Sequence, residues 1–181
     1  MAKYDHEILM QKAAEIKLLI LDVDGVLTDG RLQYDSNGMV SQVFHVHDGH
    51  GLKLLMRSGV EVAILSSRTS EAVSARMKDL GISRVYQGKK TKIETFRQIL
   101  AETGLSNAQA AFIGDDWMDL PVLKQVGLAV AVSNAHPPLS DHCHYVTQKP
   151  GGCGAVREVC DLILKAKGLW AGIFNEFLET V

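Results

Sequence analysis

Residues 18–30 read Leu18-Leu19-Ile20-Leu21-Asp22-Val23-Asp24-Gly25-Val26-Leu27-Thr28-Asp29-Gly30. A continuous apolar run ends in two carboxylates at i and i+2, followed by glycine. Such a run fits a strand covered on both faces of a sheet. In an open α/β sheet, ligands bind outside the carboxyl ends of the strands. Asp22 and Asp24 leave the strand at that edge. Two carboxylates without a partner raise one pKa, so the pair calls for a cation. The plain alternative is a turn that merely contains Asp and Gly.

Further runs of the same kind follow. Candidate strands are Leu18–Asp22, Val60–Leu65, Arg84–Tyr86, Ala110–Ile113, Leu128–Val132 and Tyr145–Thr147. Between them the spacing predicts helices over Gly51–Ser58, Ser70–Leu80, Lys92–Glu102 and Met118–Gln125. Each is stopped by a nearby glycine, the usual C-terminal signal. A longer helix is expected over about Ala155–Lys167. This β-α rhythm predicts an α/β fold, a doubly wound (Rossmann-like) parallel sheet with helices on both faces. Residues 31–46 break the rhythm. Asn37-Gly38 lies between partly alternating arms, Leu32 and Tyr34 on one side and Met39 to Val46 on the other. That pattern predicts a projecting β-hairpin whose two turn residues take positive φ. The end of the chain, about 169–181, is apolar. Trp170, Ile173, Phe174, Phe177 and Leu178 share one helical face, which docks either on its own domain or on a neighbouring subunit.

Composition narrows the function. The chain has 181 residues, 46% of them hydrophobic, enough for one domain, 1–181, with a full core. Its 19 Lys+Arg nearly balance 21 Asp+Glu, so no nucleic-acid surface is expected. No apolar run is long enough for a transmembrane helix. The N-terminus carries scattered charge and no signal-like apolar stretch. Three cysteines, Cys143, Cys153 and Cys160, without CxxC spacing read as buried thiols in a reducing cytoplasm.

A second acidic cluster, Gly114-Asp115-Asp116-Trp117-Met118-Asp119, leaves the strand Ala110–Ile113 at the same edge. Taken alone, its plain alternative is an acidic surface turn. Two converging clusters instead make a site for a hard cation with oxygen ligands, and Mg²⁺ fits best. Ser66-Ser67-Arg68 follows the strand Val60–Leu65, and Lys92 opens a helix. A hydroxyl and an ammonium at that edge suit phosphate oxygens. Each alone reads as a helix cap or a solvated lysine.

Together these residues resemble the four motifs of the haloacid dehalogenase superfamily of phosphohydrolases. DVDGVLTDG (22–30), FHVHDGHGLKLL (44–55), YQG-x-x-x-K (86–92), GDDWMDLPVL (114–123) and GG-x-GAVREVCDLIL (151–164) resemble, more narrowly, the 3-deoxy-D-manno-octulosonate 8-phosphate (KDO 8-phosphate) phosphatases. The resemblance implies a Mg²⁺-dependent phosphoric monoester hydrolase serving lipopolysaccharide precursor biosynthesis. Asp22 would attack phosphorus, and Asp24 would serve as general acid and then base. Mg²⁺ would be held by Asp22, the Asp24 carbonyl and Asp115. Ser66 and Lys92 would bind the phosphoryl group, and Asp116 and Asp119 would orient Lys92 and metal-bound waters. Larger relatives insert a cap domain in one of two gaps. Here about 40 residues separate Asp24 from Ser66, and only a helix and a strand fit between Ser66 and Lys92, so no cap domain is expected. The resemblance implies instead a homotetramer whose hairpins cover neighbouring sites.

For a small-molecule sugar phosphate with a carboxylate, the matching positions offer Arg68, Arg76 and Lys53 as cations. Asp24, His47, Asp48, Gly49 and Lys92 line the substrate region. Lys53 and His47 stand where relatives commonly carry Arg, Ser67 where Gly is usual, and Cys153 where many have Arg. His45 and His47 on one strand face could bind a transition metal, although exposed residues are the plainer reading there and at His142-Cys143-His144. Two other readings compete. A phosphatase of a nine-carbon acid sugar (sialic-acid type) shares the core motifs, but Arg68 stands where that group tends to be acidic. A receiver-type phospho-switch lacks a carboxylate at the position of Asp24.

Overall fold

A computed structural model of the chain describes residues 5–38 and 40–179. In chain order its strands are β1 (Leu18–Leu21), β2 (Gln33–Tyr34), β3 (Val40–Ser41), β4 (Glu61–Leu65), β5 (Arg84–Tyr86), β6 (Ala110–Gly114), β7 (Leu128–Ala131) and β8 (Tyr145–Val146). Six form one parallel sheet in the order β5-β4-β1-β6-β7-β8. β1 pairs with β4 on one side and β6 on the other, Leu21 facing Ile64 and Ile113. The strand order therefore reverses beside β1, and that is where a doubly wound sheet opens a crevice.

The helices are α1 (His6–Ala14), α2 (Val46–Arg57), α3 (Glu71–Leu80), α4 (Lys92–Thr103), α5 (Leu120–Leu123), α6 (Ala155–Ala166) and α7 (Trp170–Glu179). Side chains alternate across the pleat, so each apolar strand feeds two cores. Leu19, Leu21, Ile64, Ile113 and Val130 pack with Leu52 and Leu55 of α2, Met77 of α3 and Val159 and Ile163 of α6. Leu18, Ile20, Leu65, Phe112 and Ala129 pack with Phe96 and Ile99 of α4 and Val122 and Leu123 of α5. Burying each large side chain is worth about 1.5–3 kcal/mol. The parallel sheet with helices on both faces agrees with the reading of the sequence, and no cap domain lies among the described residues.

Several local expectations change. α1 has no counterpart in the predicted helices. Asp5 caps it, accepting from the Glu7 amide at 3.2 Å, and Leu9 and Ala13 are buried. α2 starts at Val46 rather than Gly51, so the second arm of the hairpin ends sooner than predicted. Gly49 and Gly51 lie inside the helix because neighbours occupy the space a Cβ would take. The Arg76 guanidinium lies against Gly49, and Arg157 crosses Gly51. The hairpin is two residue pairs, Gln33 with Ser41 and Tyr34 with Val40. Its turn is not a two-residue Asn-Gly turn. Gly38, and not Asn37, has positive φ and donates to the Asp35 carbonyl, while the Asp35 side chain accepts from the Asn37 amide. Met39 lies outside the described residues. The helix expected over Met118–Gln125 is a 3-10 turn, Trp117–Asp119, followed by the short α5 with Pro121 in its first turn.

Cys143 and Cys160 are buried as expected, but Cys153 is exposed. His45 and His47 do not share a strand face, because His45 sits just before α2 and His47 lies within it. His142-Cys143-His144 is not simply an exposed loop: the His144 ring accepts from the Ala129 amide. In α7, Trp170 and Ile173 pack on the core while Phe174, Phe177 and Leu178 stay exposed.

Candidate active site

β1 carries Asp22 to the crevice, and the Asp22 amide still reaches the Ile113 carbonyl at 3.1 Å. Beyond it the chain turns sharply through Gly25, at φ +86°. The buried Thr28 hydroxyl ties this turn together. It accepts from the Gly25 and Gly30 amides, each at 3.3 Å, and donates to the Val23 carbonyl. A side chain at Gly25 would overlap the Asp115 carboxylate, so glycine lets the loops after β1 and β6 meet.

Lys92, at the first position of α4, is buried with its ammonium 2.9 Å from Asp22 and 2.6 Å from Asp119. Burial alone would lower its pKa, but the carboxylates of Asp22 and Asp119 outweigh that and raise it. Asp119 is wholly buried and uses both oxygens. Oδ1 accepts from the Lys92 ammonium, and Oδ2 accepts from the Asp115 and Asp116 amides at 3.0 and 3.3 Å. Asp116 turns its carboxyl to the Trp117 amide at 2.6 Å.

Asp22, Asp115 and Asp119 present carboxylate oxygens within 4.8 Å of one another. Burial pushes the Asp22 carboxyl up to about 6; Lys92 opposes the shift and Asp119 adds to it. Burial, then the charges of Asp22 and Asp119, push Asp115 up to about 8. Fully ionised, three carboxylates against one ammonium would leave two negative charges. A divalent cation with a preference for oxygen fits that donor set. Lys92 and the two amides already occupy Asp119, so Asp22 and Asp115 are the side chains available to hold such an ion. Asp24 turns its carboxylate elsewhere: Oδ1 accepts from Gln42 Nε2 at 2.7 Å, and Oδ2 lies 3.6 Å from Arg68.

Ser66 follows β4, buried, its Oγ accepting from the Arg68 amide. The buried hydroxyl of Ser67 has no hydrogen-bond partner. Both serines, with Asp22, Asp24, Arg68, Lys92, Asp115, Asp116, Met118 and Asp119, line a cavity of about 240 Å³. The structure thus brings together the catalytic and metal residues expected from the sequence. His47, Asp48, Gly49, Lys53 and Arg76 do not line this cavity. Arg76 pairs with Asp79. Asp48 is buried, and its Oδ1 accepts from the Arg157 amide at 2.8 Å, inside the first turn of α6. Nothing in the sequence reading singled out Thr28 or Gln42. Thr28 lies within the DVDGVLTDG motif, but Gln42 carries no local signal.

Comparison with known proteins agrees with this geometry. Residues 81–158 match the haloacid dehalogenase-like hydrolase family. A 3-deoxy-D-manno-octulosonate 8-phosphate phosphatase of Escherichia coli strain K12 is 46% identical over 160 residues, covering 88% of this chain and 85% of the relative. The crystal structure of the Yersinia pestis phosphatase of that name is 45% identical, with TM-score 0.91 over 92% of this chain and 90% of that one. The Moraxella catarrhalis phosphatase, solved in complex with magnesium ion, phosphate ion and KDO, is 39% identical, with TM-score 0.94 over 96% of this chain and 99% of that one. An acidic crevice on this sheet, together with that degree of identity along most of the sequence, means that the chain belongs to the KDO 8-phosphate phosphatases among the haloacid dehalogenase-like hydrolases.

Proposed function

We propose that the chain is a Mg²⁺-dependent phosphatase that hydrolyses KDO 8-phosphate to KDO and phosphate through an aspartyl-phosphate on Asp22. One observation carries this reading. Asp22 stands at the end of the central strand, its carboxylate held by Lys92 and facing Asp115, in one cavity with Ser66. Mg²⁺, held by Asp22, the Asp24 carbonyl and Asp115, supplies the positive charge that lets an anionic nucleophile approach a phosphate. Ser66 and Lys92 bind the phosphoryl oxygens. Asp22 attacks phosphorus, the bond to the sugar oxygen breaks, and that oxygen takes its proton from Asp24. Asp24 then deprotonates a water, which attacks phosphorus and frees Asp22 and inorganic phosphate.

The cavity, about 240 Å³, is smaller than the ~300 Å³ at the low end of small-molecule pockets. In this reading the sugar acid extends past the part-exposed Arg68 into open space. We assign that space to a neighbouring subunit of a homotetramer, with the exposed His47 and Lys53, and Gly49 and Arg76 beside them, on the sugar side. Each chain is read as a single domain. Among the described residues no helix is long and apolar enough to cross a membrane. Free thiols at Cys143, Cys153 and Cys160 favour the cytoplasm.

A phosphate-release screen with Mg²⁺ tests the reading. KDO 8-phosphate should give the highest kcat/KM in a panel that includes a nine-carbon acid sugar 9-phosphate. EDTA should abolish turnover and Mg²⁺ restore it. Asp22→Asn should remove activity while the fold survives. Substantial turnover by that variant overturns the covalent route, and preference for the nine-carbon sugar overturns the substrate.

A further inference from the structure

The hairpin does more than project from the sheet. Directly after β3 it delivers Gln42 to the rim of the crevice, where Gln42 Nε2 donates to Asp24 Oδ1 at 2.7 Å. The amide has one orientation open to it. An ionised Asp24 only accepts, so the NH₂ group faces it, and the Ser70 hydroxyl then donates to Gln42 Oε1 at 2.6 Å. Ser70 is itself fixed. It caps α3 by accepting from the Val73 amide, and its own amide donates to Gln87 Oε1 at 2.7 Å. Gln87, just after β5, continues to Ser74 at 2.8 Å. A hydrogen-bond chain thus runs from the α3 cap and the end of β5, through the hairpin, to one oxygen of Asp24.

We propose that Gln42 is a positioning residue for proton transfer by Asp24. This rests on the reading of Asp24 as general acid and base. With Oδ1 held by a neutral donor, Oδ2 is the oxygen left for the proton; it points to the Arg68 side, into the cavity that receives the leaving group. A carboxylic acid can protonate a leaving oxygen only when that oxygen lies along its O–H direction, so holding one oxygen aims the other. The inference also gives the hairpin a role. A two-stranded ribbon of two residue pairs is barely stable alone, and a one-residue slip would turn Gln42 to the opposite face. The Gln42–Ser70 bond fastens its base, and proton transfer then depends on its register.

The test separates aim from mere support of the fold. Wild type, Gln42→Leu, Gln42→Glu and Asp24→Asn are assayed with Mg²⁺ on phenyl phosphates of one shape and graded leaving-group pKa. For each, log kcat/KM is plotted against leaving-group pKa. A 4-nitrophenolate leaves without a proton, whereas a 4-methoxyphenolate gains from one. Asp24→Asn should steepen the slope, and both Gln42 variants should steepen it in the same sense. We expect a loss of roughly tenfold to 100-fold at the poor-leaving-group end and under about threefold for 4-nitrophenyl phosphate. Equal loss on all esters overturns the proposal and leaves Gln42 as a hairpin anchor, and no loss on any overturns it as well. If Asp24→Asn steepens the slope and the Gln42 variants do not, the inference alone fails. If Asp24→Asn leaves the slope unchanged, the acid-base reading beneath it fails.

Discussion

Asp22 and Asp115 carry protons that an unfolded chain would release. Their carboxyls rise from 3.8 to about 6 and about 8, burial being the largest cause for both. An acid whose pKa is higher in the folded state holds its proton more tightly there. The metal-free fold therefore binds more protons than the unfolded chain from about pH 4 to about pH 8, and its stability falls as pH rises through that window. A divalent cation takes the place of those protons, so its stabilising effect grows with pH. In EDTA, wild type should lose Tm relative to Asp115→Asn between pH 6 and pH 8, and added Mg²⁺ should raise wild-type Tm more at pH 8 than at pH 6. A Tm difference that stays constant with pH would remove this account. The two carboxylates were legible because each ends an apolar run, where sheet geometry leaves side chains at one edge. Gln42 was not. It gains its meaning from Ser70 and Asp24, 28 and 18 residues away, and no local pattern encodes such a meeting.

α6 begins without a side-chain cap of its own, since Gly154 at its N-cap is in the left-handed region at φ 100°. Asp48, from the first turn of α2, supplies the acceptor for the Arg157 amide. The glycines just before α6 need that anchorage. Gly152 donates to the Val26 carbonyl at 2.9 Å, and a side chain at Gly151 would overlap the Gly25 carbonyl. The α6 entry thus braces the loop that carries Asp24. Asp48→Ala should cost about 2 kcal/mol in urea denaturation, a lost cap plus an unsatisfied buried amide. Asp48→Asn keeps an accepting oxygen, and burial already raises the Asp48 carboxyl, so its cost should stay below about 1 kcal/mol on the same scale. Equal costs for the two would mean that the charge, not the cap, matters. The start of α2 is hidden in the sequence for a related reason. His45 makes no side-chain cap bond, and Gly49 and Gly51 look like helix breakers until Arg76 and Arg157 are seen filling the space beside them.

The β-α rhythm made the sheet and its helix layers legible, because buried parallel strands and glycine-stopped helices leave a strong periodic trace. Assembly leaves a weaker one, and the exposed apolar residues show where to look. Val43 at the hairpin base and Val46 at the start of α2 are 78% and 75% exposed, Tyr34 is exposed on β2, and Phe177 and Leu178 are exposed on α7. Phe44, by contrast, packs against the chain's own core, so a charge there would report on folding rather than assembly. Val43 is the cleaner probe. A closed homotetramer would cover these residues and set each hairpin beside a neighbouring cavity. Light scattering should give the mass of four chains. Val43→Lys should lower that mass without loss of helical signal, and should reduce turnover of KDO 8-phosphate more than that of a small phenyl phosphate, which needs no neighbour to hold a sugar. A fully active wild-type monomer would overturn the assembly and leave the hairpin to shield the site of its own chain.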